Sequence, residues 1–394
     1  MNKKNVLVLA TSFPRWPQDH LTAMFLFELS KRHTENYNIF LLVPHTKDVK
    51  LKEIWQNVTI YRFRYFWPEK LETLCYGSGI IPNLKKNCLL YLILPFLFFF
   101  QFINICLLIK KEKIDIVHAH WFFPSGLTAT VAAKIFHKPL IFSSHGPDIL
   151  NLNSVFWDKT RRFVIKQANL VTVISSFFIK NLIDLYPSVK DKIFSISMGI
   201  DTNLFFFQPN RNNREPKLLF VGRLNPVKGV NYLIRALPRV LEKFPKARLE
   251  IVGYGSQEKE LKALVKNLSL EDKITFSGGV VNTELPKYYH KSSVYILPSL
   301  VEGLPVTIME AMSSGCPVVA TPVGGVSDLV EDSVNGLLIQ PKSEEAIGQA
   351  VIKLLSDNAL REKIIRNARK KIEENYDWSV IASKFENLYD KVSV

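Results

Sequence analysis

The chain has 394 residues, of which 47% are hydrophobic and 22% charged, with no low-complexity tract and no repeat of solenoid length. That excludes a disordered or fibrous protein and leaves room for two cores of roughly 100–200 residues each. The net charge of +15 is uneven, since residues 1–210 hold 25 Lys/Arg against 14 Asp/Glu, a balance of +11, and the rest carries +4. The first half is thus the one to face an anionic partner, with nucleic acid, an anionic membrane surface and a phosphorylated acceptor as the physical candidates.

In chain order, Lys3-Lys4 followed by Val6 to Ala10 imitates a signal peptide. Its apolar run is shorter than the roughly 7–15 residues such a segment needs and stops at Ser12-Phe13-Pro14, so it reads as a first buried strand. Strands are predicted near 5–11, 38–43, 114–118, 139–144, 169–174 and 192–197, with helices near 22–33, 125–136, 155–167 and 176–185. A polar run from Gln208 to Pro216 breaks the cycle and reads as an interdomain linker. The cycle then restarts with strands near 217–222, 247–252, 273–277, 293–297 and 317–320. This alternation predicts an α/β fold of two doubly wound domains, 1–207 and 208–376, facing a central cleft at the carboxyl ends of their sheets. Cys75, Cys88, Cys106 and Cys316 lack zinc-type spacing and a small secreted scaffold, so free thiols in a reducing cytosol are expected.

Cys88 to Ile109 is nearly all apolar and long enough to span a bilayer, with Lys85, Lys86, Lys110, Lys111 and Lys113 at its flanks. Three readings stand: a transmembrane helix, a helix lying in the membrane interface, and a buried core helix. Spanning would cut a domain in half, because Ile114 to His118 reads as a core strand. The lysine flanks favour docking of residues 85–113 on an anionic membrane surface over burial.

The chemistry concentrates between Glu302 and Glu310. There the chain leaves a strand (Val294 to Leu297), passes Pro298-Ser299 and starts a helix near Pro305 that ends at Gly315. No Ser, Thr, Asp or Asn immediately precedes Pro305, so the first amides lack a side-chain cap and are open to a ligand oxygen. Glu302 lies in the loop and Glu310 inside the helix, so the two carboxylates can reach different parts of one extended ligand; pairs of sugar hydroxyls suit such acceptors. The bland alternative is two solvated surface glutamates, against which stand the apolar neighbours Ile308, Met309, Ala311 and Met312.

A second element, Phe220 to Gly229, turns from strand to helix and offers Arg223 and Lys228 as cations for a diphosphate leaving group, although basic residues at a strand end are more often merely solvated. At another strand end, His145 in Ser144-His145-Gly146 could hydrogen-bond a sugar hydroxyl or a developing charge, or be a satisfied structural histidine. His118 and His120 could equally be structural, and their His-x-His spacing brings no nearby carboxylate or cysteine, so no metal site is read. Gly253-Tyr254-Gly255 lacks the third glycine and the acidic partner of a dinucleotide fingerprint, and reads as a tight turn.

With these residues in hand, the chain resembles the retaining glycosyltransferases of the GT-B fold known as family 4 (glycosyl transferases group 1). The resemblance runs from Thr11-Ser12-Phe13-Pro14-Arg15 through Asp115 to Trp121 and Ser144-His145-Gly146. It is densest from Val221-Gly222-Arg223 through Gly278-Gly279-Val280, Pro298-Ser299, Glu302 to Pro305, Glu310-Ala311-Met312 and Gly324-Gly325-Val326. It implies two Rossmann-like domains, with Tyr376-Asp377-Trp378 as a closing signature and the last helix, 377–394, packing back on the first domain. It also implies a nucleotide-sugar donor held by Arg223 and Lys228 at the diphosphate, Glu310 at the ribose and Val280 near the base. Glu302 and the amides of Gly303, Leu304, Pro305 and Val306 would hold the transferred sugar, with His145 reaching that sugar from the opposite domain. The implied reaction moves a hexose-type sugar to a lipid-linked or cell-surface glycan acceptor with retention and without metal or other cofactor. It has no nucleic-acid partner and takes place in the cytoplasm at the inner face of the membrane.

The sequence departs from the family at Gln18 to Phe25, where relatives usually have glycine, so acceptor contacts stay unassigned. Met198-Gly199-Ile200-Asp201 and Asp328 also depart from it. A nucleotide-sugar epimerase of related fold and a non-catalytic membrane-docking subunit are the competing readings.

Overall fold

The computed structural model describes residues 3–17, 19, 24–77, 79–150, 154–209 and 215–393. It divides into two compact units, Met1–Ser197 with Ile381–Val394, and Met198–Val380.

Unit 1 is built on an eight-stranded sheet in the order β3-β4-β2-β1-β5-β6-β7-β8. The strands are β1 Lys4–Leu9, β2 Tyr37–Pro44, β3 Lys52–Trp55, β4 Val58–Phe63, β5 Ile116–His120, β6 Leu140–Ser143, β7 Leu170–Val173 and β8 Ile193–Ser195. All pairs are parallel except β3 with β4. The central strands are buried along their length, which is why they read in the sequence as short continuous apolar runs. The helices are α1 Met24–Arg32, α2 Ile80–Lys86, α3 Leu94–Lys111, α4 Leu127–Ile135, α5 Pro147–Leu150, α6 Val155–Gln167 and α7 Ser176–Leu185. The β3–β4 hairpin was not expected from the sequence. Its turn residues Gln56 and Asn57 have φ of 44° and 66°, the left-handed pair that a two-residue hairpin requires.

The packing of the apolar stretch bears on all three of its readings. Cys88–Leu92 forms a short 3₁₀ segment leading into α3, which buries Leu97, Gln101, Ile105, Leu108 and Ile109 and packs on β2, β4 and α4. Those positions form one face of the helix. A helix with one face packed on its own sheet could cross a bilayer only by taking that sheet with it, which weighs against the transmembrane reading. Gln101 belongs to that inward face: its amide donates to Ser125 Oγ (3.0 Å) and accepts from Thr128 Oγ1 (2.9 Å). The plain core-helix reading is incomplete too, because the opposite face is exposed.

Unit 2 holds a six-stranded, all-parallel sheet ordered β11-β10-β9-β12-β13-β14. Its strands are β9 Lys217–Val221, β10 Arg248–Val252, β11 Ile274–Gly278, β12 Val294–Leu297, β13 Val318–Ala320 and β14 Leu337–Leu338. Its helices are α8 Val230–Lys243, α9 Glu258–Asn267, α10 Leu285–Lys291, α11 Val306–Ser314, α12 Val326–Leu329, α13 Glu344–Ser356 and α14 Asn358–Asn375. The final helix α15, Trp378–Val392, begins in unit 2 and continues into unit 1. The strand order reverses between β9 and β12, and in doubly wound sheets ligands bind at the carboxyl ends flanking such a reversal. In unit 1 the same reversal falls between β1 and β5.

The boundary lies at Ser197/Met198, ahead of the polar run expected to mark it, and the return to unit 1 comes at Ile381 rather than 377. The reason is that 198–208 is already bound into unit 2. Ile200 N–H donates to Tyr376 O (2.8 Å), Gln208 N–H donates to Ser314 O (3.1 Å), and Phe205 is buried in that core. Asp377 and Trp378 stay on the same side, because Asp377 bridges Ile200 and accepts from Thr202 Oγ1 (2.7 Å). Residues 210–214 of the polar run lie outside the described residues.

Gly199, in the segment that departs from the family pattern, is where the chain crosses the Trp378 ring. A Cβ there would sit 2.4 Å from the ring. Gly199→Ala is therefore expected to lower stability by about 1–3 kcal/mol, and Trp378→Ala by about 3–5 kcal/mol. The double variant should cost less than the sum, because removing the ring removes the clash. Urea unfolding of the three variants measures this.

Candidate functional site

In unit 2 the loops after β9 and β12 are drawn together at the sheet's reversal. Gly229 has φ +64°, and a Cβ there would lie 2.2 Å from Pro298 O, so only glycine lets α8 start against the loop after β12. Leu300 N–H donates to Val227 O (2.7 Å) across the same contact. The result is an ion pair, Lys228 Nζ to Glu302 Oε1 at 2.6 Å, in which Glu302 is 8% exposed and Lys228 half-buried. Ser299 Oγ donates to the same Oε1 (2.7 Å), and Ser299 O in turn accepts from Thr321 Oγ1. Among the described residues nothing donates to Glu302 Oε2, which remains an acceptor for a ligand hydroxyl. Arg223 stands exposed on the same β9 loop and makes no ion pair among the described residues.

The loop carrying Glu302 is fixed from its other side. Gly324 is left-handed (φ +59°), a Cβ on it would come within 1.8 Å of Glu302 O, and Gly325 N–H donates to Gly303 O (2.8 Å). Pro305 is the residue before α11, with extended backbone (φ −78°, ψ 105°), so the helix starts at Val306 rather than at the proline. No side chain caps α11, and among the described residues the N–H groups of Gly303, Leu304 and Val306 have no acceptor. Pro305 has no N–H, so it contributes no amide to the cradle expected from Gly303 to Val306.

Glu310, on the second turn of α11, is 3% exposed. Its Oε1 accepts from Asn282 Nδ2 (3.0 Å) and its Oε2 from Tyr289 OH (2.8 Å). Burial raises this carboxyl from 4.5 to about 7, and the two hydrogen bonds pull it partly back. Neither glutamate is thus a solvated surface residue. Val280 is half-buried against the core in the loop after β11, two positions before Asn282. Asn282, Tyr289 and the anchoring hydroxyl of Ser299 carry no local signal in the sequence: Asn282 and Tyr289 fall in no motif, and nothing beside Pro298-Ser299 marks the hydroxyl as an anchor. Gly253 and Gly255 serve close backbone packing more than a turn, since a Cβ on either would strike Gly222 O (1.8 Å) or Leu224 O (2.2 Å).

Unit 1 brings His118, His120 and His145 together towards the carboxyl edge of its sheet. His118 is buried and structural, bonded through Nδ1 to Tyr389 OH (2.8 Å) and through Nε2 to Ser143 Oγ (2.7 Å). His120 Nδ1 and His145 Nε2 lie 2.9 Å apart with their rings stacked at 19°, so one imidazole donates to the other. The outer nitrogens, His120 Nε2 and His145 Nδ1, are buried without a partner, and one of the two must be a donor and the other an acceptor. Phe25 and Trp121 pack on the His145 ring at 4.9 and 5.0 Å. Burial holds His145 and His118 down to about 3, and His120 well below its ordinary value. These rings are therefore neutral hydrogen-bonding groups, not cations. Gln18 and His20 to Ala23 of the first loop lie outside the described residues, while Asp19 accepts from Arg15 Nε (2.8 Å). Among the described residues no three His, Cys, Asp or Glu side chains converge as metal ligands.

The buried imidazoles of unit 1 and the Glu310 carboxyl of unit 2 respond to pH with opposite sign. The imidazoles' folded values lie below 6.5, so their contribution to stability is intact above that pH and is lost as pH falls from about 6.5 towards about 3. Glu310's folded value is raised, so unit 2 is least affected below 4.5 and loses stability as pH rises from 4.5 through about 7. Glu310→Gln should accordingly raise the unfolding free energy of the ligand-free protein above pH 7, by an amount on the order of 3 kcal/mol, and with it the unfolding temperature, and leave both unchanged near pH 4.5. Thermal unfolding across that range decides it.

Comparison with known proteins covers both units. Residues 23–204 match the family model for Glycosyltransferase Family 4, and residues 201–371 match Glycosyl transferases group 1. An uncharacterized glycosyltransferase of Methanocaldococcus jannaschii, MJ1069, is 30% identical over 385 residues, covering 91% of each chain. A second from the same organism, MJ1607, is 32% identical over 300 residues, 71% of this chain and 75% of that one. Among solved structures, Anabaena Alr3699/HepE in complex with UDP superposes with a TM-score of 0.73 at 19% identity, covering 98% of this chain and 100% of that one, a likeness of fold alone. With the two sheets, their reversals and both family models in place, the chain belongs to family 4 of the glycosyltransferases, the group 1 enzymes of GT-B fold.

Proposed function

We propose that unit 2 binds a nucleoside-diphosphate sugar and that the chain transfers its hexose to a lipid-linked or cell-surface glycan acceptor with retention of configuration. The observation that carries this reading is the Lys228–Glu302 pair at the β9/β12 reversal. Arriving diphosphate takes the Lys228 cation together with Arg223, and the carboxylate of Glu302 turns to the hydroxyls of the transferred sugar. The N–H groups of Gly303, Leu304 and Val306 supply further donors at an uncapped helix start. Glu310 accepts from the ribose hydroxyls and Val280 lies beside the base. The neutral imidazole of His145 offers a hydrogen bond to a sugar hydroxyl.

The negative charge that develops on the leaving diphosphate is met in this scheme by Arg223, Lys228 and the amides, so no metal is called on. The solved HepE structure holds UDP, which makes a uridine nucleotide the first donor to try. The basic first half and the four free cysteines favour a cytoplasmic site of action, at the inner face of the membrane.

Calorimetry with UDP, GDP and ADP, followed by a screen of nucleotide sugars for slow hydrolysis, tests the reading. Arg223→Ala and Lys228→Ala should each weaken nucleoside-diphosphate binding by about 10–150-fold, the worth of one charge-assisted bond. Glu310→Ala should abolish turnover with the fold intact. Full activity in that variant sinks the assignment. Absence of any nucleotide binding points instead to a non-catalytic subunit, and release of an isomerised nucleotide sugar without acceptor points to an epimerase.

A further inference from the structure

Cys88–Lys111 is long and apolar enough to cross a bilayer, yet only about a third of it is buried. Its inward face is accounted for by β2, β4 and α4. Its outward face repeats the apolar pattern: Phe96, Phe99, Phe100 and Leu107 follow one another at helical spacing and are exposed, Phe99 by 59%. The 3₁₀ segment ahead of α3 adds Leu89 at 67% and Leu92 at 70%. Surface helices of globular proteins put charged and polar residues on this side. A contiguous exposed apolar patch of this kind marks an interaction surface.

The charge around it selects the partner. Between residues 85 and 113 the chain carries Lys85, Lys86, Lys110, Lys111 and Lys113 against the single carboxylate Glu112. All five lysines are exposed. Aromatic and aliphatic side chains between two lysine clusters suit the boundary of an anionic bilayer, with rings among the upper acyl chains and ammonium groups among the headgroups.

The topology adds an orientation. A crossover helix runs antiparallel to the strands it joins, so α3, between β4 and β5, starts at the carboxyl edge of the unit 1 sheet. Ring contacts place it there: Phe98 meets Phe123, in the turn after β5, at 4.8 Å, and Phe123 meets Trp157 at 4.5 Å. That is the edge bearing His120 and His145.

We infer that the outward face of the 88–107 segment docks in the interface of an anionic phospholipid bilayer, without spanning it, and sets the carboxyl edge of the unit 1 sheet at the level of the headgroups. This deepens the reading of a lipid-linked acceptor and rests on it only for its consequence, since the docking itself is read from vesicles. The full chain is sedimented with vesicles of phosphatidylglycerol and phosphatidylcholine, and with phosphatidylcholine alone as the neutral control. The expected result is binding to the anionic vesicles, weakened by salt, and little to the neutral ones. Lys85→Glu/Lys86→Glu should weaken that binding at least about tenfold. Leu92→Ser/Phe99→Ser, both at exposed positions, should abolish it while thermal unfolding and UDP binding stay unchanged.

Failure to bind anionic vesicles, equal binding to neutral ones, or indifference to both double variants overturns the proposal. So does a dimer in solution that Leu92→Ser/Phe99→Ser dissolves, which would assign the face to a second copy of the chain. Vesicle binding without nucleotide binding would leave this inference standing and remove the donor assignment, and the converse would do the reverse.

Discussion

The close approach of backbones around the loop after β12 is the constraint on which the candidate site of unit 2 depends. Gly229 lies against Pro298 O and Gly324 against Glu302 O, at distances no side chain tolerates. These contacts bring a lysine from one loop within 2.6 Å of a glutamate on the other. A half-buried pair of this kind adds little net stability, because desolvation offsets most of the attraction. The glycines, the Ser299 anchor and the uncapped α11 together maintain an arrangement that the fold alone does not need. It is preorganised polarity, and its natural complement is a ligand carrying anionic oxygens next to hydroxyls.

Burial sets the protonation of the groups gathered in each unit. The imidazoles of His118, His120 and His145 are held neutral by burial, so these three rings can hydrogen-bond but do not supply positive charge. In unit 2 the β9 loop carries two cations, Arg223 and Lys228. Glu310 sits between the extremes, a buried carboxyl near 7 whose two donors, Asn282 and Tyr289, come from the loop after β11 and from α10. A group so placed destabilises the empty protein at the pH where it is ionised, which is the pattern expected when a site is shaped for occupancy rather than for stability.

Much of this was legible in the sequence. Parallel strands buried on both faces show as short apolar runs, so β1, β2, β5 to β8 and β9 to β13 were located to within a few residues. The β3–β4 hairpin escaped because neither Lys52–Trp55, two polar residues followed by two apolar ones, nor Val58–Phe63, broken by Thr59 and Arg62, forms a continuous apolar run. Its Gln56-Asn57 turn was the available signal. Glu302, Glu310, Arg223 and Lys228 could be picked out because each follows a strand end or sits in an uncapped helix. Asn282 and Tyr289 could not, since nothing local marks an amide or a phenol as the partner of a carboxylate 28 or 21 residues away. The domain boundary was misplaced for a related reason. A polar run looks like a linker, but Ile200, Phe205 and Gln208 are bound to unit 2 by contacts with residues far along the chain, including Ser314 and Tyr376.

The segment from Cys88 to Lys111 shows where hydropathy stops being informative. A helix that is apolar on every side has no preferred face in sequence, so composition alone leaves spanning, docking and burial open. The fold breaks the tie by geometry. The crossover from β4 to β5 requires one face of α3 to cover the sheet, and Leu97, Gln101, Ile105 and Leu108 do so. Gln101 shows how firm that requirement is, since the polar side chain on the inward stripe is turned to satisfy Ser125 and Thr128 instead of solvent. The outward stripe is under no such demand from the fold, and a soluble helix in this position would be free to carry charge there. Its phenylalanines are therefore a property the sheet does not explain, set beside lysines that a buried face would not keep.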